Sequence, residues 1–397
     1  MKVLITGANG FVGKNLQLHL AERKDVEVVC FSRVHTIAQL PELLRGVDFV
    51  FHLAGINRPQ DPTEFAIGNA DLTRALCDAV CTVAAETGRK MPIVFTSSTQ
   101  AARDNPYGQS KLAAEASLQA AHASQGIPVH IFRLPNVFGK WCKPNYNSAV
   151  ATFCHNIARG LPIQVNDPAA PVTLVYVDDV IARFVQLMDG ADAAFGSDGF
   201  ATVAPQYTTT VGELARQIHA FKESRSTLMT ERVGTGLVRA LYATYVSYLP
   251  AELFTYTVPR YADPRGVFAE MLKTPDCGQF SFFTSHPGVT RGGHYHHSKT
   301  EKFLVIKGQA RFKFRHMQTG ETHELETTGE KSEIVETVPG WAHDVSNIGN
   351  DEMVVMLWAN EVFERERPDT FAASLNDEQG GRPGGYCLDN AKIKSKL

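Results

Sequence analysis

No apolar run in the 397 residues approaches the roughly 18 to 20 that a membrane-spanning helix needs, so no helical anchor is expected. A sustained basic run is also missing. With 39 Lys and Arg against 42 Asp and Glu the net charge is −3, which leaves no electrostatic footprint for nucleic acid. Cysteine is scarce, and its seven positions (30, 77, 81, 142, 154, 277 and 387) are scattered without CxxC spacing. That pattern argues against a disulfide framework and a thiolate zinc site, and for free thiols in a reducing compartment. Met1-Lys2-Val3-Leu4-Ile5-Thr6-Gly7 runs into a glycine turn with no small-residue cleavage site, so it reads as a strand and not as a signal peptide. A cytoplasmic location is expected. Ser395-Lys396-Leu397 matches a peroxisomal address, but three residues match easily by chance.

What is present points to two domains, since 397 residues exceed what one core comfortably supports. β-branched apolar runs at 2–6, 26–31, 49–53 and 92–96 alternate with amphipathic stretches, the pattern of a doubly wound parallel sheet. After about residue 245 the texture changes. Short strand-like runs at 280–284, 302–306, 310–314, 333–338 and 352–358 are separated by Gly, Pro and charged turns, which suggests an all-β sandwich or barrel. A helix around 237–242 closes the first domain. The expected division is therefore an α/β domain over 1–247, an all-β domain over 252–364, and a loosely packed tail over 365–397, where prolines and glycines break the pattern.

Gly7-Ala8-Asn9-Gly10-Phe11-Val12-Gly13 lies between the first expected strand and a helix beginning near Phe11. Missing side chains let backbone approach a pyrophosphate, and the helix N-terminus offers unpaired N–H groups to its charge. At the end of the second strand, where an acidic residue would bind a ribose hydroxyl, the chain has Ser32-Arg33. Arg33 either pairs with a 2′-phosphate, which favours NADP(H) over NAD(H), or is a solvated surface arginine. His52-Leu53-Ala54-Gly55 ends the third strand, its small residues suited to backbone lying close to the cofactor.

In Tyr107-Gly108-Gln109-Ser110-Lys111 a tyrosine and a lysine stand one helical turn apart and so point the same way. An ammonium beside a phenol is expected to lower its pKa and support proton exchange with a carbonyl oxygen during hydride transfer. The fourth strand ends in Thr96-Ser97-Ser98-Thr99, and a hydroxyl there can bond the reacting oxygen.

Over residues 1 to about 245 these features resemble the extended short-chain dehydrogenase/reductases of the sugar-nucleotide epimerase/dehydratase branch. The resemblance implies Tyr107 as general acid, Lys111 as its activator and ribose anchor, and Ser98 as hydroxyl partner, with Ser97 and Thr99 as substitutes. Asn69 at a helix start, Arg133-Leu134-Pro135-Asn136-Val137-Phe138-Gly139 and Tyr176-Val177-Asp178-Asp179-Val180 also match, the middle segment being one that lines the substrate cleft, with Asn136 in it. Eight residues separate Ser98 from Tyr107, fewer than in many such relatives. Gly139-Lys140-Trp141-Cys142-Lys143-Pro144-Asn145-Tyr146-Asn147 carries Lys143, Asn145 and Tyr146, which either grip a diphosphate and stack on a base or form a surface loop.

In the second half, His294 and His296 alternate along a strand and share a face. Glu301 follows, and His343 comes after the Pro339-Gly340 turn. Three imidazoles and a carboxylate suit a divalent first-row metal. The spacing HxH, four residues, Glu, six residues, Gly308, then PG, two residues, His343, three residues, Asn347, resembles the cupins over about 252–362. His297, Lys299 and Lys302 fall outside that pattern and read as exposed, with a role as catalytic base the alternative.

Together the halves resemble the bifunctional enzymes of capsule and O-antigen precursor synthesis. That resemblance implies a cytoplasmic homodimer acting on a UDP-linked 2-acetamido-2,6-dideoxy-4-keto-hexose, with C3 epimerisation in a zinc-bearing cupin and C4 reduction by NADPH, on the route to N-acetyl-L-fucosamine. Two other readings stand beside it: a single-activity ketoreductase with a structural or dimerising cupin, and a non-catalytic dinucleotide sensor or scaffold.

Overall fold

The computed structural model describes residues 1–258, 260–263, 266–269, 272, 278–361 and 368–375, with backbone alone at 260–263, 266–269 and 279–281. Cys277, Cys387 and the expected tail beyond 375 lie outside them. The chain divides into two compact units, residues 1–137 with 173–207, and 138–172 with 208–381.

In the first unit five parallel strands, β1 (Lys2–Thr6), β2 (Glu27–Phe31), β3 (Phe49–His52), β4 (Ile93–Ser98) and β5 (Val129–Leu134), lie in the order β2-β1-β3-β4-β5. Their central residues are apolar on both faces because helices cover both sides. Leu4, Val50, Ile93 and Phe95 pack with Leu76, Val80 and Val83 of α2 (Leu72–Thr87) and with Ala114 and Leu118 of α3 (Pro106–Gln125). On the other face Phe184 of the helix Val177–Met188 meets the Phe132 ring at 5.0 Å. Each such fully buried side chain contributes roughly 1.5–3 kcal/mol. Helix α3 begins where it does because Asn105 caps it, its Oδ1 accepting from Gly108 N at 2.8 Å, with Pro106 at the first helical position. Gly126, in the left-handed conformation, ends it.

The second unit holds the helices Ala149–Ala158, Val211–Thr227 and Gly236–Ser247 together with the antiparallel strands. These strands are β6 (Thr255–Thr257), β7 (Arg260–Asp263), β8 (Gly266–Ala269), β9 (Gln279–Ser285), β10 (Thr290–Tyr295), β11 (Glu301–Lys307), β12 (Gln309–His316), β13 (Thr322–Thr328), β14 (Glu333–Glu336), β15 (Trp341–Asn347), β16 (Met353–Ala359) and β17 (Phe371–Ala372). Two five-stranded sheets, β9-β16-β11-β14-β6 and β13-β12-β15-β10-β17, make the jelly-roll of a cupin. Phe303, Phe312, Phe314 and Val345 are buried in its core. The five expected apolar runs coincide with β9, β11, β12, β14 and β16.

The compact units cut the chain elsewhere than at 247–252. Segments 138–172 and 208–247, read as part of the α/β domain, pack with the barrel. One link is a buried ion pair between Lys302 and Glu336, joined by Arg225 of the helix Val211–Thr227 at 3.1 Å from Glu336. Nor is 368–375 loose: β17 pairs with β10, Tyr295 opposite Phe371 and His294 opposite Ala372. Among the described residues no helix is long and apolar enough to cross a membrane, and Cys77, Cys81, Cys142 and Cys154 are free thiols, whereas Cys30, expected to be free, is disulfide-bonded.

Candidate active site and metal centre

The glycine turn follows β1. Gly7 takes φ +71°, and a Cβ there would stand 2.7 Å from Leu53 C, so only glycine lets the turn lie against Leu53 and Ala54 at the end of β3. A Cβ on Gly13 would come 2.8 Å from Ala8 Cα, which fixes how closely α1 (Phe11–Ala21) approaches β1. Gly10 is the N-cap of α1 and makes no side-chain cap, so the first-turn N–H groups, reached past the exposed Asn9 and half-buried Phe11 and Val12, are left for an anion. Arg33 is exposed just beyond β2. These residues fit a dinucleotide.

Below that turn the end of β3 is tied down by a buried histidine. His52 Nδ1 lies 2.6 Å from Thr6 Oγ1 and Nε2 lies 2.8 Å from Thr73 Oγ1. Burial, helped by Lys111, pushes His52 down to about 3, so the ring is neutral. Nothing in the spacing marks this residue, whose partners are remote in sequence.

Alternation along β4 separates the two serines. Ser97 is buried and bonds Glu115, which also takes Arg133 Nε at 3.0 Å and Nη2 at 2.6 Å. Ser98 faces the other way: its hydroxyl accepts from Gln100 N at 3.1 Å and stands close enough to the Tyr107 phenol to lower the phenol's pKa, against a larger rise from burial. The phenol thus ends above its ordinary value, a correction to the expected lowering by Lys111. The ammonium bonds Thr96 O at 2.9 Å instead and lies 4.9 Å from the Phe95 ring centre. Burial pushes Lys111 down to about 8, with Glu115 opposing. A Cβ on Gly55 would sit 3.0 Å from Lys111 Nζ and 3.1 Å from Asn69 Oδ1, so glycine there keeps the lysine's approach open. Asn69 lies in a π-helical turn, Ala66–Asp71, and is held by Ile56 N at 2.8 Å and Ser110 Oγ at 2.9 Å. Thr99 begins a 3₁₀ turn, Thr99–Ala102, which spans the short connection to α3.

Of the expected substrate residues, Asn136 is exposed and donates to Thr173 O at 3.1 Å. Lys143, Asn145 and Tyr146 belong to the second unit. Lys143 Nζ stands 5.0 Å from the Tyr146 ring centre, and Asn145 N donates to Thr152 Oγ1 at 3.0 Å. Their loop is seated on the barrel: Trp141 Nε1 donates to His316 Nε2 at 3.0 Å, and Tyr248 Oη donates to Cys142 O.

In the barrel His294, His296, Glu301 and His343 each offer a donor atom, all within 4.8 Å of one another. β10 and β15 pair His294 with His343, and a bulge between Gly292 and His294 sets the register. Burial, with His343 and His296 nearby, pushes His294 down to about 3, and burial lowers His343. Burial opposes ionisation of Glu301, but the His296 and His343 rings beside it hold its carboxyl well below the usual range. Glu301 Oε2 is 3.2 Å from His296 Nε2 and 3.5 Å from His343 Nε2, the second too long for a good hydrogen bond. Three imidazoles around an ionised carboxylate, one nitrogen poorly paired, fit a first-row divalent cation. His297, Lys299 and Lys302, expected on the surface, are all buried. Lys299 Nζ holds Glu301 Oε1 at 2.8 Å.

A parallel dinucleotide sheet carrying a Ser–Tyr–Lys group, together with a cupin carrying a metal-ready His₃Glu cluster, defines a two-domain class of nucleotide-cofactor proteins. Residues 3–198 match the NAD dependent epimerase/dehydratase family and residues 261–371 the polysaccharide biosynthesis C-terminal domain. The chain is 63% identical to the UDP-2-acetamido-2,6-beta-L-arabino-hexul-4-ose reductase of Pseudomonas aeruginosa over 95% of its own length and all of the relative's. The crystal structure of the capsular polysaccharide assembling protein CapF of Staphylococcus aureus superimposes with a TM-score of 0.63 at 40% identity, over 94% of this chain and all of that one. The spore coat polysaccharide biosynthesis protein SpsL of Bacillus subtilis is 24% identical over 31% of this chain and 87% of its own. The chain belongs to the family that contains the Pseudomonas reductase and CapF, epimerase/dehydratase-type proteins with a C-terminal polysaccharide biosynthesis domain.

Proposed function

We propose that this protein reduces C4 of a UDP-linked 2-acetamido-2,6-dideoxy-4-keto-hexose with NADPH after its barrel has epimerised C3, in the synthesis of an N-acetyl-L-fucosamine precursor for capsule or O-antigen. The observation that carries the reading is the Ser98 hydroxyl beside Tyr107 with the buried Lys111 one turn along, in a chain 63% identical to a reductase of such a sugar.

The bound dinucleotide supplies the hydride. Tyr107, its proton retained by burial, gives that proton to the C4 oxygen, and Ser98 stabilises the phenolate left behind. Lys111 presents its charge to the ribose and the phenol from a site already fixed by Thr96 O. Arg33, exposed beyond β2, is assigned to a 2′-phosphate, and its exposure there supports NADPH as the dinucleotide. Asn136, Lys143, Asn145 and Tyr146 are assigned to the UDP-sugar. In the barrel, His294, His296, Glu301 and His343 would hold zinc, whose Lewis acidity polarises a ketone and acidifies the neighbouring C–H. Lys299 keeps Glu301 turned so that its other oxygen faces the imidazoles.

Incubating the protein with the UDP-4-keto sugar in deuterated water tests the reading. Deuterium is expected at C3 without cofactor, and NADPH oxidation on its addition. Absence of exchange at C3 removes the epimerase half, and absence of NADPH oxidation removes the reductase half.

A further inference from the structure

Between the second and third expected metal ligands the chain makes a tight turn, His297-Ser298-Lys299, that is buried along its length. Three consecutive backbone N–H groups there point to one carboxylate, that of Asp369. His297 N donates to Oδ1 at 2.8 Å, and Ser298 N and Lys299 N donate to Oδ2 at 2.7 and 2.6 Å. The Ser298 hydroxyl adds a bond to Oδ2 at 3.0 Å. The backbone carbonyl of Asp369 meets His296 Nδ1. With Nδ1 turned to that carbonyl, Nε2 is the nitrogen that faces the cluster, where Glu301 Oε2 lies at 3.2 Å.

We propose that Asp369 is a positioning residue of the metal centre, its carboxylate clamping the turn that joins His296 to Glu301 and its carbonyl selecting the nitrogen that His296 offers. The proposal rests on the reading that the His₃Glu cluster holds a metal. Charge-assisted bonds to three successive amides make a firm clamp, because each of those buried N–H groups has the carboxylate as its partner. Asp369 is itself fixed from the other side. β17 pairs with β10 at the His294 and Tyr295 positions, and Ala373 N donates to Gly293 O at 2.8 Å. The Phe371 ring lies 5.6 Å from Tyr295 and 5.0 Å from His297. A segment that follows the barrel's last long strand thus reaches back to touch the surroundings of three of the four ligands.

The test is zinc affinity of the full-length protein, stripped and then titrated against a chromophoric chelator, with cobalt substitution as a spectroscopic reporter. Asp369→Ala is expected to weaken zinc binding about 10- to 100-fold and to alter the cobalt ligand-field bands. Asp369→Asn, which keeps the shape and one acceptor, is expected to fall between, and Ser298→Ala to lose a smaller factor. If Asp369→Ala does not fold, the other two variants carry the test. Parent-like affinity within twofold and unchanged cobalt spectra in the folded variants, even with a lower melting temperature of the metal-free protein, would reduce Asp369 to scaffolding and overturn the proposal. A parent protein that binds neither metal overturns the metal reading itself, and the clamp's purpose with it.

Discussion

At the scale of single residues the clearest tension is at Lys111, a side chain whose charge the proposed chemistry uses and whose burial penalises that charge. Its pKa falls from 10.5 to about 8. A depressed lysine binds its proton less readily folded than unfolded, so it costs stability fully below about pH 8, and the cost fades as pH rises to the unfolded value. A shift of that size corresponds to on the order of 3 kcal/mol. Lys111→Met is therefore expected to abolish NADPH oxidation while raising the melting temperature at pH 7, the gain shrinking between about pH 8 and 10.5 in scans of both proteins. The adjacent serines divide in the same way between chemistry and support. Ser98→Ala should lower kcat by about 10²-fold, the usual effect of removing one hydroxyl from a reacting oxygen. Ser97→Ala should lower stability by about 1–2 kcal/mol through Glu115 and leave kcat near that of the parent, with urea unfolding and initial rates as the two measurements. Tyr107 and Lys111 were legible because helical spacing is local. Ser98 was preferred to Ser97 through the family resemblance and not through spacing, since the physical reason is Glu115 arriving from α3. Lys299 and Lys302 were misread as exposed for a related reason: Lys302's buried partner, Glu336, lies far along the chain, and Glu301, near Lys299 in sequence, is buried by the fold.

At the scale of elements, the nine strands that were read were legible nearly to the residue, because apolar runs bounded by Gly and Pro report burial directly. The loop from Gly139 to Asn147 was not. Its aromatics read equally as a substrate grip or as surface, and neither reading includes what Trp141 does. Its indole lies on the turn that leads into β15, where Gly340 has φ +82° and a Cβ would stand 2.8 Å from Trp141 Cζ2. Gly340 N also donates to His296 O at 2.9 Å, so the turn is held from two sides. Gly340→Ala meets both a left-handed backbone and the indole, and is expected to cost about 1–3 kcal/mol. The steric part disappears if the indole is gone. In a Trp141→Ala background the same substitution should therefore cost less, a coupling that a double-mutant cycle in urea measures. Equal costs in both backgrounds would leave the backbone conformation as the whole reason for glycine.

For the molecule as a whole, the change of texture near residue 245 revealed two folds, but not that helices before it pack with the barrel. Nor did it reveal that residues 368–375, broken by Pro and followed by glycines, return to the ligand strand. Packing between remote segments leaves no local periodicity to read. The proposed division of labour is a property of this scale, and it has a consequence that neither unit shows alone. If proton exchange at C3 belongs to the barrel and hydride transfer to the Tyr107 site, each can be removed without the other. Tyr107→Phe should stop NADPH oxidation while deuterium still enters C3 of the UDP-4-keto sugar at near the parent rate. His343→Ala, or removal of metal by a chelator, should stop that exchange yet leave NADPH oxidation measurable when the substrate is supplied already epimerised. Mass spectrometry of the sugar and absorbance at the nicotinamide band follow the two processes in one sample. Loss of both signals in Tyr107→Phe would mean that exchange requires the reductase tyrosine, and the barrel would then be a partner in one active site instead of the owner of its own.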